Sequence, residues 1–209
     1  MNGDVFTLTD DIIFTPLAQE GCIAWTLCHP LHSGESFILA SAASDEAEFQ
    51  ATRLLKNEFA LRMQLSGMWA VRPISSTSHH GRYALVYAPF PFRTLAQSTR
   101  LRLGLCTPLR QMHAQGLVHS DIKPGNFFID PGGAYRLAGF GLTTGSPEIA
   151  SQASLTVLGG TLAYMSPEHT ARTRDSVDSR SDLYSLGIVL YELLTGTLPF
   201  EPSEGGQAE

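Results

Sequence analysis

Apolar residues form short runs over the first ninety positions and recur at helical spacings afterwards. Ile12 to Leu17, Cys22 to Cys28 and Ser36 to Ser41 have strand length and are separated by Gly or polar turns. From about Asp45 to Gly67, the positions of Phe49, Leu54, Leu55, Phe59, Leu61, Met63 and Leu65 predict a helix. Two more strands are predicted near Trp69 to Ile74 and Tyr83 to Tyr87, with His80-Gly81 as the turn between them.

Past Pro91 the period changes. Leu95, Leu101, Leu105, Leu109, Met112 and His113 fit an amphipathic helix, in one or two pieces. Phe127 to Leu137 reads as a small hairpin around Pro131-Gly132-Gly133. Residues 142 to 160 are rich in Ser, Thr and Gly and read as loop. A helix from about Ser181 to Thr195 is apolar nearly all round, which predicts burial, and Gly196 suits its C-terminal cap. No internal repeat is visible.

Composition narrows the class without naming a function. Of 209 residues, 43% are apolar and 16% charged, as in folded globular chains. The net charge of −6 disfavours nucleic acid or an anionic membrane as the main partner. Cys22, Cys28 and Cys106 lack metal-ligand spacing and read as reduced thiols of a cytoplasmic protein. No signal peptide is visible at the N-terminus, and the apolar run from Leu183 to Leu194 is too short and too polar to span a bilayer.

Candidate chemistry lies in the second half. His119-Ser120-Asp121-Ile122-Lys123-Pro124-Gly125-Asn126 has the spacing of a phosphoryl-transfer catalytic loop. Gly139-Phe140-Gly141 follows thirteen residues on, where such enzymes carry Asp-Phe-Gly. Then come Gly160-Thr161-Leu162-Ala163-Tyr164-Met165-Ser166-Pro167-Glu168 and Asp178-Ser179-Arg180-Ser181-Asp182-Leu183-Tyr184-Ser185-Leu186-Gly187. With all four segments in order, the chain resembles the eukaryotic-type Ser/Thr protein kinases from about residue 12 to residue 203. Glu58-Phe59-Ala60-Leu61, Trp69-Ala70-Val71-Arg72-Pro73 and Arg82-Tyr83-Ala84-Leu85-Val86 also resemble a narrower group. These are the N-terminal kinase-like domains of large bacterial proteins that join an ATPase module to a sensor histidine kinase.

The resemblance implies a role for each matching residue. Asp121 would orient the substrate hydroxyl as base, and Lys123 would neutralise charge on the transferred phosphoryl group. Asn126 would ligate a metal ion, weakly if alone. Thr161 would bridge to Asp121 and Lys123 and position substrate. Asp182 and Glu168 would be structural, Asp182 by accepting backbone N–H bonds from the catalytic loop. The nucleotide cleft would lie between Tyr87 to Phe90, the catalytic loop and Gly139, with Ala88 and Phe90 beside the adenine. Pro89 removes one backbone donor there.

Several positions depart from the family pattern. The family places a Lys on its third strand, paired to a helix Glu and to the nucleotide phosphates. This chain has two lysines, Lys56 and Lys123, and neither lies in Ser36 to Ser41. Glu58 matches the helix Glu; without its partner it reads as a surface or capping carboxylate. The phosphate loop, Leu17 to Trp25, holds one glycine, Gly21, where three are expected, and Gly21 reads as a turn residue. Gly139 removes the main metal carboxylate, and Asp130 lies in a hairpin turn. Losing one transition-state stabiliser costs roughly 100- to 1000-fold in rate. Ser120 replaces the Arg that receives an activation-loop phosphate in switchable kinases. Thr143, Thr144, Ser146, Ser151, Ser154 and Thr156 therefore read as plain loop residues. The family's C-lobe continues with more helices past Leu198-Pro199-Phe200, whereas a short polar tail remains here, so a truncated lobe with exposed apolar surface is expected.

The resulting expectation is an α+β, two-lobed protein-kinase-like fold. Residues 1–90 would form a small β-rich N-lobe, 91–203 an incomplete helical C-lobe, and 204–209 a polar tail. The expected function is an impaired, regulatory kinase-like module of bacterial signalling with protein partners. Binding of ATP and Mg would be weak or absent. The alternative is an active Ser/Thr kinase with atypical phosphate and metal handling. A small-molecule phosphotransferase is disfavoured by Ser166-Pro167-Glu168, and a gene remnant would lack a cooperative melt.

Overall fold

The computed structural model describes residues 8, 11–32, 34–90, 94–95, 104–145, 162–170 and 176–200. Thr161 and the loop residues Ser146, Ser151, Ser154 and Thr156 lie outside the described residues, as do most of the positions between Pro91 and Leu103, where the start of a helix is predicted, and the polar tail.

The first half is one antiparallel sheet with a helix against it. Strands β1 (Ile12–Glu20), β2 (Ile23–Pro30), β3 (Phe37–Ala42), β4 (Ser75–His79) and β5 (Arg82–Tyr87) lie in the order β1-β2-β3-β5-β4. β1 runs three residues past the predicted Leu17 and slips register between Pro16 and Ala18. Pro16 has no N–H to give the ladder, so a bulge falls beside it. Gly21 begins the β1–β2 turn with φ 57°. His80 and Gly81, with φ of 51° and 79°, close the β4–β5 hairpin.

β3 is buried along its length. One face, Phe37 and Leu39, joins Cys28, Ala84 and Val86. The other, Ile38 and Ala40, joins Trp25, Leu55, Leu85, Tyr87 and Phe128. Helix α1 (Glu48–Leu61) buries Ala51, Leu54, Leu55, Glu58 and Leu61. That is one stripe at helical spacing. The helix is shorter than the predicted 45–67, and Phe49 and Met63 stand exposed outside the stripe.

The strand predicted at Trp69 to Ile74 is a correction. The fourth strand is the polar run Ser75–His79 instead. As an edge strand it needs only backbone pairing with β5. The apolar segment before it crosses to the second half. Val71 N–H donates to Leu137 O (2.7 Å) and Leu137 N–H donates to Trp69 O (2.8 Å).

The second half is helical with one hairpin. It contains α2 (Cys106–His113), β6 (Phe127–Ile129), β7 (Tyr135–Leu137) and α3 (Ser179–Thr195), with short 3-10 turns at Pro124–Asn126, Phe140–Leu142, Leu162–Tyr164 and Pro167–Thr170. Its core gathers Leu61, Leu65, Trp69, Leu95, Leu109, Met112, Phe127, Phe140, Leu186 and Val189. Asp178 caps α3 in a capping box with Ser181, and Gly196 ends it in the left-handed region. α3 is not buried all round. Ser181, Asp182, Ser185, Leu186, Ile188 and Val189 face inward, while Leu183 and Leu194 are 54% and 71% exposed. No described element covers that outer stripe. No helix of the described residues is long and apolar enough to cross a membrane.

Phe128 joins the two halves: it stands on β6 yet packs against Trp25 and Phe90. Phe128→Ala is expected to cost about 3–5 kcal/mol in urea denaturation. A loss below about 1 kcal/mol would contradict this packing.

Candidate active site: a kinase-shaped cleft with altered partners

The loop from His119 to Asn126 is held by α3. Asp182, 1% exposed, accepts from the backbone N–H of His119 (2.8 Å) and of Ser120 (2.9 Å). Its Oδ2 also meets His113 Nε2 of α2 at 2.8 Å, a contact between residues 69 positions apart that no local pattern signals. Ser120 sits at φ 65°, a strained conformation for a residue with a Cβ. The two bonds to Asp182, from the Ser120 amide and from that of His119, hold it there. His119 is fully buried. Its Nδ1 accepts from Asp121 N–H (3.3 Å), so Nε2–H donates to Ala138 O (3.1 Å). Burial keeps this ring neutral by lowering its pKa, against the pull of Asp182 and Asp121.

Asp121, Lys123, Asn126 and Gly139 come together. Lys123 Nζ lies 3.3 Å from Asp121 Oδ2. Asn126 Nδ2 donates to Asp121 O (2.7 Å) and to Asp121 Oδ2 (3.0 Å). Asp121 Oδ1 is buried with no hydrogen-bond partner among the described residues. Gly139 has φ 78°, and a Cβ there would stand 2.8 Å from Asn126 Oδ1. The Asn126 amide therefore fills space that a side chain at position 139 would need.

These residues do not fit a magnesium site. The ion favours carboxylate and phosphate oxygens in near-octahedral geometry. Here position 139 supplies no carboxylate, Asp130 is taken up in its turn, and Asn126 offers a single neutral amide oxygen. Asp130 Oδ1 accepts from Ala134 N–H (2.9 Å), and Oδ2 lies 3.4 Å from Arg136. No group of three His, Cys, Asp or Glu among the described residues is placed to hold a metal.

Glu58 is the main correction. It is neither a surface nor a capping group but is 1% exposed. Tyr87 O–H donates to its Oε1 at 3.0 Å, and the backbone of Phe140 bonds to it as well. The β3 residues on the Trp25 face are Ile38 and Ala40, which carry no cation. Lys56 lies over the Tyr83 ring, 5.7 Å from its centroid. With no ammonium to hold its charge, burial pushes the Glu58 carboxyl up to about 7, against the hydrogen bonds from Tyr87 and Phe140. The sequence did hold a signal. Glu58 falls in the same helical stripe as Leu54, Leu55 and Leu61.

α1 is also fastened to the Gly-Phe-Gly segment. Asn57 Nδ2 donates to Gly141 O (2.9 Å) and Thr143 O (3.2 Å). A Cβ on Gly141 would meet Leu54 Cβ at 2.8 Å, so this approach requires glycine.

Aromatic rings fill the linker end of the cleft. Trp25 lies 5.1 Å from Tyr87, 6.3 Å from Phe90 and 6.5 Å from Phe128, between ring centroids. Phe90 meets Phe128 edge-on at 5.1 Å. Ala88 is exposed and Phe90 half-buried. The cavity over the catalytic loop, bounded by Glu20, Trp25, Glu58, Asp121, Lys123 and Gly139 among others, holds about 70 Å³. Sites for drug-sized ligands usually hold roughly 300–1,000 Å³. Glu168 lies apart from this cluster, where Ser181 Oγ donates to its Oε1.

A two-lobed arrangement of sheet, helix, catalytic loop and Gly-Phe-Gly segment defines a kinase-like class. The family model for the protein kinase domain matches residues 93–209, more than half of the chain. The chain belongs to that family. It is 39% identical over 104 residues to the serine/threonine-protein kinase PknB of Mycobacterium leprae, covering 50% of this chain and 16% of that protein. It is 48% identical over 113 residues to the serine/threonine-protein kinase PknL of Mycobacterium tuberculosis, covering 54% of this chain and 27% of that protein. The aligned stretch thus spans about a quarter or less of these curated relatives.

Glu58 makes stability depend on pH. Unfolded, its carboxyl ionises near 4.5; folded, it keeps its proton up to about 7. The folded state therefore binds the extra proton between these values. This contribution to stability is full below about 4.5 and is lost as pH rises through about 7. The loss is on the order of 3 kcal/mol. Glu58→Gln should remove the fall, so that urea unfolding finds the variant more stable than the parent at pH 8 but not at pH 5. Parallel pH profiles would contradict a buried, cation-free Glu58.

Proposed function

We propose that the chain is a kinase-fold regulatory module in which phosphoryl transfer is impaired. The observation that carries this reading is the pairing of Glu58 with Tyr87. In working members of the family that glutamate positions a lysine that holds the nucleotide's α- and β-phosphates. Here a neutral phenol takes the lysine's place. The altered metal position at Gly139 and the Trp25 ring packed in the cleft support the same reading. ATP and magnesium would then bind weakly or not at all.

The module's output would be contact with protein partners or downstream signalling modules. Its resemblance to kinase-like domains of bacterial ATPase/sensor histidine kinase hybrids suggests a cytoplasmic two-component setting.

A second reading, active Ser/Thr phosphorylation, is favoured by one specific observation. Asp121 Oδ1 is buried and without a partner among the described residues, beside Lys123. A substrate hydroxyl could donate to that oxygen and pass its proton there. The names of the mycobacterial relatives are consistent with this chemistry.

Radiolabelled ATP, with Mg²⁺ or Mn²⁺ and a general protein substrate, separates the two readings. The expected result is transfer no greater than that of the Asp121→Ala variant. Transfer that Asp121→Ala abolishes would establish the active kinase instead.

A further inference from the structure

Glu20 ends β1 at the tip of the hairpin where the family carries its phosphate-binding glycines. Its side chain reaches across the cleft to the catalytic loop. Glu20 Oε2 lies 3.9 Å from Lys123 Nζ. A Cβ on Gly125 would stand 2.8–3.1 Å from the Glu20 carboxyl atoms, so only a glycine at 125 lets that carboxylate settle there. Lys123, only 16% exposed, thus lies between two carboxylates, Glu20 at 3.9 Å and Asp121 at 3.3 Å.

We infer that Glu20 is a latch. It fastens the β1–β2 hairpin onto the catalytic loop and places its own carboxylate where an incoming phosphate would meet Lys123. The inference rests on the reading of an impaired cleft and names the contact that excludes anions from it. The chemistry is direct. The cavity walls carry Glu20, Glu58 and Asp121 against one cation, Lys123. Glu58 holds its proton below about 7, and the carboxylates nearest Lys123 are those of Glu20 and Asp121. Two carboxylates already outweigh the single ammonium, and any phosphate oxygen would face a net negative site at close range. With the latch released, Lys123 would face Asp121 alone, and an anion could share it. The exposure of Glu20, at 38%, leaves its charge partly solvated and the latch free to open without unfolding the sheet.

The test uses inorganic pyrophosphate as probe, titrated calorimetrically into the full chain at low, fixed ionic strength without added metal. Glu20→Gln keeps the shape and removes the charge. It should bind pyrophosphate at least tenfold more tightly than the parent chain. Glu20→Gln combined with Lys123→Ala should return binding to the parent level. Glu20→Ala, compared by thermal melt, guards against an effect of the amide itself and should show the same gain. Binding within twofold of the parent in both single variants would overturn the latch. So would a gain that survives loss of Lys123. Failure of the impaired-cleft reading would look different: the unaltered chain would itself transfer phosphate from ATP, whatever Glu20→Gln does to pyrophosphate.

Discussion

The buried carboxyl of Glu58 is the constraint on which this cleft depends. It sits where α1, the sheet and the Gly-Phe-Gly segment meet, and an isolated charge there would be costly. The chain's answer is to keep the group protonated up to about 7 and to satisfy it from Tyr87 and Phe140. That arrangement needs no cation on β3, and Ile38 and Ala40 face the cleft instead. Once the β3 face is apolar, Trp25 can lie against Tyr87, Phe90 and Phe128. The aromatic filling of the cleft and the absence of a lysine on β3 are thus two aspects of one packing solution.

The catalytic loop follows a separate logic. Its shape is imposed by Asp182, which serves two amides and His113 at once. None of those contacts involves nucleotide or metal. A loop with Asp121, Lys123 and Asn126 in register can therefore persist in a chain with glycine at 139 and no lysine on β3. This is why the loop argues strongly for the family and only weakly for turnover. Helix α1 stays docked for a similarly neutral reason. Asn57 and the close approach at Gly141 fasten it, where an ion pair would otherwise do so.

Much of this was legible along the chain, and what was not has a physical cause. The catalytic loop, the His80-Gly81 turn, the hairpin at Phe127 to Leu137 and the cap at Gly196 are local features, specified by neighbours in sequence. The absence of a third-strand lysine could be read directly, because the chain has only two lysines. The burial of Glu58 is legible in its stripe with Leu54, Leu55 and Leu61, but its partner is not, since Tyr87 is 29 positions away. The same holds for His113 and Asp182, 69 apart, and for Asn57 and Gly141, 84 apart. The polar strand Ser75–His79 leaves no hydrophobic signature, because an edge strand is held by its backbone. Trp69 to Val71 looked like a strand because it is apolar, but that apolarity serves the contact with β7.

Calorimetric titration of ATP into the unaltered chain, with and without Mg²⁺, tests the central claim most directly: that the fold has kept the kinase cleft's frame while replacing its phosphate-holding partners. The account predicts heats that are absent or weak and the same in both conditions. Tight binding that requires magnesium would contradict it.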